Sequence, residues 1–392
     1  LWLMSSYRAW TCLLISFVLL VSVPAVGQVR PGSVAGTGVV IPVHNLRLRS
    51  LLVAAVRDGL PGVSLRVTGP GIDFQGAAGV ANTVDGEVLT TRHALYAASL
   101  GKTFAVVVVL QLCEEGLLDL DKPVTSWLSA EEAGRIPSSE KITLRHLLSH
   151  TSGLPGYMND AEAWRHDFVR EPQRQWTHRA IIPYLYDRPL LFEPGTDYHY
   201  SNSNYILAGE IIERVTGQPL HTMIRKRVLT PLGLKQTFSG AETCVNYKCA
   251  HGYFRRRGRI IDSYPWYSHY GLANAGIHST PGDLGVFIRS LFTTRKLLSE
   301  RLRAEMTKAS KLGHPPSEYG LGILVGTGPG CMGRWYANRG VDPGYQADMM
   351  YFPEIDLTIA LSANASLGNA TRVYGRLVAA VMRTAQDAVC VK

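Results

Sequence analysis

The stretch that decides the fold is Ala98-Ser99-Leu100-Gly101-Lys102, which continues into an apolar run from Phe104 to Cys113. Four consecutive valines in that run favour a strand by propensity alone. Ten apolar or near-apolar residues closed by Gly116 fit a fully buried helix better, although periodicity by itself leaves the strand open. We therefore predict a buried helix that begins at the short polar segment.

On such a helix Ser99 and Lys102 share one face, because they are three residues apart. Ser99 then lies at the helix N-terminus, where the helix dipole favours negative charge and free backbone N–H groups can bind an oxyanion. A serine hydroxyl is a weak nucleophile until its proton is removed, and Lys102 can remove it only when neutral, with a pKa roughly two to three units below the usual value of about 10.4. The alternative interpretation is a capping serine beside a surface lysine.

A second polar segment, Glu193 to Tyr205, leads into the helical pattern Ile206 to Val215. We expect Tyr200 and Asn202 to flank a cleft. The Tyr200 phenol can relay a proton, and Asn202 can hold the Lys102 ammonium and bind a substrate amide oxygen. An aromatic and amide-rich helix cap is the alternative interpretation of this segment.

The hydrophobic pattern places strands near both ends of the chain and helices between them. An amphipathic helix is predicted at Leu48 to Ala55, strands at Gly62 to Val67, Phe74 to Val80, Tyr319 to Val325, Ala347 to Phe352 and Leu357 to Leu361, and a closing helix at about Thr371 to Ala388. The middle, from about Lys102 to Leu297, is mostly helical. This order predicts an α+β fold in which one mainly antiparallel sheet is flanked by the two terminal helices. The helical region is inserted as a second lobe, with a site between the lobes.

The first residues have the layout of a secretory signal peptide: an apolar run from Cys12 to Val23, then Ala25-Val26-Gly27. The run is too short for a transmembrane helix, which needs about 20 residues. We therefore expect a periplasmic or secreted protein without a stable membrane span. The chain divides into a signal peptide at 1–27, a linker at 28–43 and one domain at 44–388.

Export also bears on the cysteines and on the net charge of +9. In an oxidising compartment we expect disulfides Cys244–Cys249 and Cys331–Cys390 with Cys113 free; unpaired thiols throughout are the alternative. The positive charge could attract nucleic acid, but an exported chain more often meets anionic envelope polymers. We therefore interpret the charge as a general adaptation of the protein surface and expect no nucleic-acid partner. The arginines at 255–257 and 259 are expected at a solvated hairpin tip.

Together these motifs resemble the β-lactamase-related serine hydrolases, a family that includes class C β-lactamases, D-alanyl-D-alanine carboxypeptidases and esterases. The resemblance covers about Val43 to Ala388, and stretches such as Leu147 to Pro155 carry it as well. It implies a β-lactamase/transpeptidase-like fold with Ser99 as the acylated serine and Lys102 as the lysine of the first motif. Tyr200 and Asn202 match the second motif.

The family's third motif is a Lys or His, a small residue and a Gly on a strand facing the serine. The corresponding stretch here places Asn338 at the cation, Arg339 at the small residue and Gly340 at the glycine. The Val341 backbone N–H is then implied as the second oxyanion donor. Asn338 bears no charge, so capture of a substrate carboxylate is in question. Because side chains alternate along a strand, Arg339 should point away from the face that carries Asn338, unless a bulge or an edge position intervenes.

These observations predict a serine hydrolase that forms a covalent acyl-enzyme on an ester, amide or peptide-like substrate, with cell-wall-derived peptides among the candidates. No cofactor is expected. No metal is expected either: His146 and His150 are four residues apart, but the Glu of the zinc-protease pattern is missing. The neutral third motif favours an ester or an uncharged peptide-like substrate. The alternative is a catalytically weak or inactive penicillin-binding or sensor-like protein of the same fold.

Overall fold

A computed structural model of the protein describes residues 42–160, 162–240, 244, 247–309 and 317–390. The predicted signal peptide and nearly all of the predicted linker lie outside these residues. The described strands are β1 Gly62–Gly69, β2 Ile72–Gly79, β3 Leu95–Tyr96, β4 Tyr253–Arg256, β5 Arg259–Asp262, β6 His278–Ser279, β7 Ser317–Tyr319, β8 Leu324–Thr327, β9 Arg334–Asp342, β10 Tyr345–Phe352, β11 Leu357–Ala363 and β12 Ala365–Ser366.

Helices occupy the first described residues, the last ones and most of the middle of the chain. They are α1 Val43–Arg57, α2 Gly101–Glu114, α3 Ala130–Arg135, α4 Leu144–Leu148, α5 Tyr157–Asp160, α6 Glu162–Arg170, α7 His178–Ile181, α8 Asn202–Thr216, α9 Leu220–Ile224, α10 Thr230–Leu232, α11 Tyr264–Tyr267, α12 Pro281–Thr293, α13 Glu300–Thr307 and α14 Asn369–Val389. A 3-10 turn, Ala98–Leu100, leads directly into α2.

The main sheet has seven antiparallel strands in the order β2-β1-β11-β10-β9-β8-β7. The N-terminal hairpin joins the C-terminal strands through β1 and β11, with Val63 opposite Ala363 and Val67 opposite Ile359. Both ends of the described chain therefore build one sheet, and the residues between β2 and β7 form a separate lobe. The predicted α+β fold, with terminal helices and an inserted helical lobe, is confirmed.

Each face of the sheet covers its own hydrophobic core. On one face, alternate residues of β1 such as Val63 and Leu65 pack with α1 and α14, as the two-residue period of a strand requires. On the other face lies the core of the lobe, which includes α2. Every residue from Gly101 to Leu110 is buried, so tertiary packing keeps the four valines helical despite their preference for strands.

One predicted strand is wrong. The stretch Tyr319 to Val325 contains the end of β7 and the start of β8, which pair as a hairpin with Tyr319 opposite Leu324. Gly322 adopts a φ of +66° in the connecting turn, a conformation that glycine reaches without steric cost. The hydrophobic pattern continued through this turn, which is why the sequence suggested a single strand.

The helical lobe also contains short strands that the sequence analysis did not separate. The β4–β5 hairpin carries the arginine cluster at its exposed tip, with Arg256 opposite Arg259, as predicted. Both predicted disulfides, Cys244–Cys249 and Cys331–Cys390, are present, with Cα atoms 5.5 and 6.1 Å apart. Among the described cysteines, Cys113 is the free one. No helix in the described ranges is long and apolar enough to cross a membrane.

Candidate active site

Ser99 lies in the 3-10 turn before α2, where the close approach of β9 shapes the backbone. A Cβ atom added to Gly340 would lie 2.1 Å from the Ala97 carbonyl oxygen, so only glycine fits at this point of the strand. Ala98 has a φ of +48°, which is unusual for a residue with a side chain. The Ala97 N–H donates to Ile277 O at 2.8 Å and ties the turn to the lobe. Ser99 is thereby held at the boundary between sheet and lobe.

The structure brings the first two sequence motifs together around the Ser99 hydroxyl. Ser99 Oγ lies 2.7 Å from Tyr200 Oη, across 101 residues of sequence. Lys102 Nζ donates to the same Oγ at 3.0 Å. Ser99 and Tyr200 are partly exposed whereas Lys102 is fully buried. A ligand can therefore reach the serine, while the lysine is shielded from water.

Lys102 has only neutral hydrogen-bond acceptors. Besides Ser99, its ammonium group donates to Asn202 Oδ1 at 2.8 Å and to the main-chain oxygen of Asn274 at 2.5 Å. Burial lowers the pKa of Lys102 well below its usual value, and the negative charge of Asp342 offsets part of that shift. A buried lysine without a carboxylate in contact loses its proton more readily than an exposed one.

The second motif lies at the start of α8, which begins at Asn202. The Asn202 side chain faces Lys102 with its oxygen, as predicted, while its Nδ2 donates to Met158 Sδ at 3.1 Å. The amide hydrogens that were expected to meet a substrate oxygen therefore face Met158 in the described structure.

His150, which the sequence analysis considered only as a metal ligand, supports Tyr200. It is fully buried, has a φ of +60°, and its ring lies 4.4 Å from the Tyr200 ring. Its Nδ1 accepts from the Ser201 N–H at 3.2 Å. Burial, and to a smaller extent the electrostatic effect of the nearby Lys102 and His199, lowers the pKa of His150, which keeps the imidazole neutral. The only sequence signal was its place in the family-like stretch from Leu147 to Pro155.

The third-motif residues divide between the two faces of β9. Asn338 points toward α2, where its Nδ2 donates to Thr103 Oγ1 at 2.8 Å and to Gly322 O at 3.3 Å. It is 4% exposed, so its amide group links β9 to α2 and is not free in the cleft. Arg339 lies on the opposite face and donates to Asp348 Oδ1 at 3.0 Å. Alternation thus turns Arg339 away, as predicted, and Arg339 does not replace the missing cation.

Two further groups at the site carried little or no sequence signal. Asn274 contributes a main-chain oxygen to Lys102, and every residue type has one. Asp342 lies two residues beyond Gly340, and residues two apart on a strand share a face. Burial raises the pKa of its carboxyl group, and Lys102 and Tyr96 lower it in part. Val341 lies between Gly340 and Asp342 on β9 and is opposite Gln346 of β10.

The chain combines an antiparallel sheet and an inserted helical lobe with a serine, a lysine and a tyrosine in mutual contact. This combination defines the class of β-lactamase-like and penicillin-binding-protein-like folds. Residues 48–381 match the family model described as Beta-lactamase, and the chain therefore belongs to the β-lactamase family.

Individual relatives carry different names. Penicillin-binding protein 4* of Bacillus subtilis (strain 168) is 31% identical over 179 residues, which cover 45% of this chain and 37% of that protein. Esterase EstB of Burkholderia gladioli is 32% identical over 167 residues, covering 41% and 42%. A D-stereospecific amidohydrolase from Streptomyces sp. has a similar crystal structure, with a TM-score of 0.73 at 28% identity over 86% of this chain and 98% of that one. The chain thus spans less than half the length of the two curated relatives.

Proposed function

We propose that the protein is a serine hydrolase in which Ser99 is acylated by an ester, amide or peptide-like substrate. The observation that carries this proposal is the contact of Ser99 Oγ with both Tyr200 Oη and Lys102 Nζ, at 2.7 and 3.0 Å. These distances are those at which a nucleophile and its base exchange a proton.

In the acylation step, neutral Lys102 accepts the Ser99 hydroxyl proton, directly or through Tyr200 Oη. Ser99 Oγ forms a bond to the substrate carbonyl carbon, and the carbonyl oxygen becomes an oxyanion. Backbone N–H groups of Ser99 and Val341 stabilise that oxyanion. Collapse of the intermediate breaks the bond to the alcohol or amine, which takes the proton from Tyr200 Oη as it leaves.

In the deacylation step, water attacks the ester carbonyl carbon of the acyl-enzyme and gives its proton to the Lys102 and Tyr200 pair. The bond to Ser99 Oγ breaks, and that oxygen recovers a proton from the pair. A carboxylic acid is released and the starting state is restored. The same groups act as base and then as acid in each half-reaction, so no additional proton carrier is required.

The relatives support this reaction class. An esterase cleaves an ester, an amidohydrolase cleaves an amide, and a penicillin-binding protein binds a strained cyclic amide, so all three ligand types present a carbonyl group to a nucleophile. For this chain we propose a small-molecule or peptide-like substrate, with cell-wall-derived peptides as one source.

The test is intact mass measurement after exposure to a fluorophosphonate and, separately, to a penicillin, with the labelled peptide mapped. We expect the fluorophosphonate to label Ser99 in the parent and in Ser50→Ala, whose serine lies exposed on α1, but not in Ser99→Ala. Penicillin label on Ser99 would show that the site also tolerates a carboxylate-bearing ligand. An unlabelled parent would overturn the hydrolase proposal and favour a binding or sensor-like protein.

We also propose that the protein is exported, with residues 1–27 removed. Two disulfides support this proposal, because disulfides persist in oxidising compartments. Alkylation of the mature protein without reductant should modify one thiol, that of Cys113. Five modified thiols, or a mature N-terminus that retains the apolar segment, would contradict it.

A further inference from the structure

We infer that His178 is a positioning residue for Lys102. Its imidazole ring, directed by Glu213, holds the buried chain segment whose main-chain oxygen at Asn274 accepts a hydrogen bond from Lys102. His178 acts on Lys102 through that segment and takes no part in the making or breaking of bonds. The effect on turnover rests on the proposed function, whereas the effect on the proton affinity of Lys102 does not.

His178 binds this segment at the residue that precedes Asn274. The segment, residues 272–277, is buried throughout and lies outside the helices and strands. The Ala273 N–H donates to His178 Nε2 at 2.9 Å, and the next residue, Asn274, accepts from Lys102 Nζ at 2.5 Å. A buried main-chain N–H has no water to replace a lost partner. The histidine therefore fixes the backbone directly beside the oxygen that holds Lys102.

Glu213 of α8 determines how the His178 ring is oriented. Because Nε2 accepts a hydrogen bond, the proton of the neutral imidazole is on Nδ1. Nδ1 lies 3.1 Å from Glu213 Oε2, and the other carboxylate oxygen, Oε1, accepts from the Leu220 N–H at 2.9 Å. Burial raises the pKa of the Glu213 carboxyl group, but the contacts with His178 and Leu220 lower it overall. Glu213 therefore remains an acceptor and holds the ring in the tautomer that the Ala273 N–H requires.

The His178 ring also fixes the distance between the two elements that hold Lys102. Helix α8 begins at Asn202, whose Oδ1 accepts from Lys102 Nζ at 2.8 Å. About two turns later, at Gly209, the helix packs directly against His178, because a Cβ atom added to Gly209 would collide with Nε2. His178 thus lies between α8 and the 272–277 segment, and each of these elements supplies Lys102 with an acceptor.

The 272–277 segment also contacts the turn that carries Ser99. Its last residue, Ile277, accepts from the Ala97 N–H at 2.8 Å. A shift of the segment would therefore move Lys102 relative to Ser99. Proton transfer depends on this geometry, and a displacement of about 1 Å can lower a rate by about 10²-fold.

His93 makes the same kinds of contacts with local partners. It is also 1% exposed, its Nδ1 accepts from the Thr90 N–H at 2.9 Å, and its Nε2 lies 3.1 Å from Glu87 Oε1. Loss of its main-chain contact should therefore cost stability as the loss at His178 does, but it should not change what holds Lys102. His93 is the matched control.

The experiment compares side chains that keep or lose the Ala273 contact. The oxygen of glutamine can reach the position of Nε2, so His178→Gln keeps an acceptor for the Ala273 N–H, whereas the shorter His178→Asn reaches only the position of Nδ1. Both variants remove the imidazole, so the difference between them reports this one contact. Gly209→Ala is a second, milder change that displaces the ring without removing it. In the control, His93→Gln, the longer side chain leaves the Thr90 N–H without its acceptor.

The charged and titratable groups around Lys102 are not substituted in these variants. Its Nζ lies 4.9 and 5.4 Å from the ring centres of Tyr200 and Tyr205. Asp342 and His150 interact with it electrostatically. A change in the pKa of Lys102 therefore reports its hydrogen-bond acceptors.

The first readout is the titration of Lys102, followed by NMR with isotopically labelled lysine and assigned with Lys102→Met. We expect His178→Asn to lower the pKa of Lys102 by about one unit or more, because the ammonium group loses the Asn274 acceptor, and Gly209→Ala to lower it less. His178→Gln and His93→Gln should stay near the parent. The second readout is the fluorophosphonate labelling rate per folded molecule, at a pH where Lys102 is neutral. It should fall by about 10- to 10²-fold in His178→Asn and recover in His178→Gln.

An unchanged or raised pKa of Lys102 in His178→Asn, or equal values in His178→Asn and His178→Gln, would overturn the inference. An equal change in His93→Gln would also overturn it, since the effect would then follow from lost stability, which thermal unfolding measures. The two readouts separate the two proposals. If the parent is not labelled but its Lys102 pKa depends on His178, the proposed catalysis is wrong and the positioning is supported; a labelled parent whose Lys102 does not respond to His178 overturns the positioning alone.

Discussion

Two cations, one on each side of the main sheet, differ in what surrounds them; Lys102 is fully buried, and the Arg339 side chain is 19% exposed. Lys102 on α2 contacts a serine hydroxyl, an asparagine side-chain oxygen and a main-chain oxygen, all of them neutral. Arg339 on β9 contacts the Asp348 carboxylate and lies 6.0 Å from the centre of the Tyr374 ring. Burial lowers the pKa of both, but Asp348 and Tyr374 raise that of Arg339 above its usual value.

The difference teaches that the partner, more than the depth of burial, decides what a buried cation can do. A cation in contact with a carboxylate remains charged and serves to hold structure. A cation that has only neutral acceptors in contact is close to releasing its proton, and it can therefore act as a base. The comparison can be tested by substituting each of the two cations, Lys102 and Arg339, in turn.

The largest expected effect is that of Lys102→Met on turnover. Removing the base should lower kcat/KM for an activated ester by about 10²- to 10⁴-fold. The free energy of unfolding should stay the same or increase, because a buried cation without an ion-pair partner is replaced by an apolar side chain of similar length. Steady-state kinetics and thermal unfolding check this, and a variant within a few-fold of the parent's activity would show that Lys102 is not the base.

Arg339→Met should have the opposite profile. Leaving Asp348 buried without its partner should lower the free energy of unfolding by about 3–5 kcal/mol, while acylation per folded molecule changes little. The control is Arg376→Met, whose exposed pair with Asp58 at 3.8 Å should contribute no more than about 1 kcal/mol. Denaturant titration measures all three proteins.

The double variant Arg339→Met/Asp348→Leu sharpens that prediction. It removes both charges, so most of the lost stability should return. If the double variant is as unstable as Arg339→Met, the cost arises from packing against Tyr374 and not from the unpaired carboxylate.

The pH dependence of acylation should report Lys102. Protonated Lys102 cannot accept the Ser99 proton, so the labelling rate should fall as pH drops through the lowered pKa of Lys102, well below the usual lysine range. The Asp342 charge raises that pKa, so Asp342→Asn should move the acidic limb to lower pH. Fluorophosphonate labelling rates at a series of pH values measure both curves. A limb at the usual lysine pKa would mean that the burial of Lys102 has no chemical effect.

The smallest expected effect is that of Asn338→His, which places an ionisable ring beside Arg339 but on the other face of β9. We expect a few-fold gain in kcat/KM for a carboxylate-bearing ester relative to its neutral analogue, measured below the imidazole pKa of about 6.5. Asn338→Gln, which stays neutral, is the matched control. An unchanged ratio of the two substrates would show that position 338 does not meet the ligand.

Much of the fold followed from the sequence because its signals are local. The terminal helices, the strands β1, β2, β10 and β11, and the helix that begins after Ser99 were all visible as periodicity or as continuous apolar runs. The turn at Gly322 was not, because apolar residues continue on both sides of it. The short strands of the lobe, some only two residues long, carry too little pattern to be recognised.

By itself the sequence determined which residue types could meet, since the three-residue spacing of Ser99 and Lys102 puts them on one face of a helical segment and alternation along β9 separates Asn338 from Arg339. The tertiary structure alone decided what each of them contacts. Asn274 holds Lys102 through a main-chain oxygen, Asp348 pairs with Arg339 through the register of β9 with β10, and Asp342 reaches the site only because β9 packs against the turn at Ser99. The physical reason is that periodicity fixes the direction of a side chain within its own element. Its partners, and therefore its charge state, depend on chain segments distant in sequence.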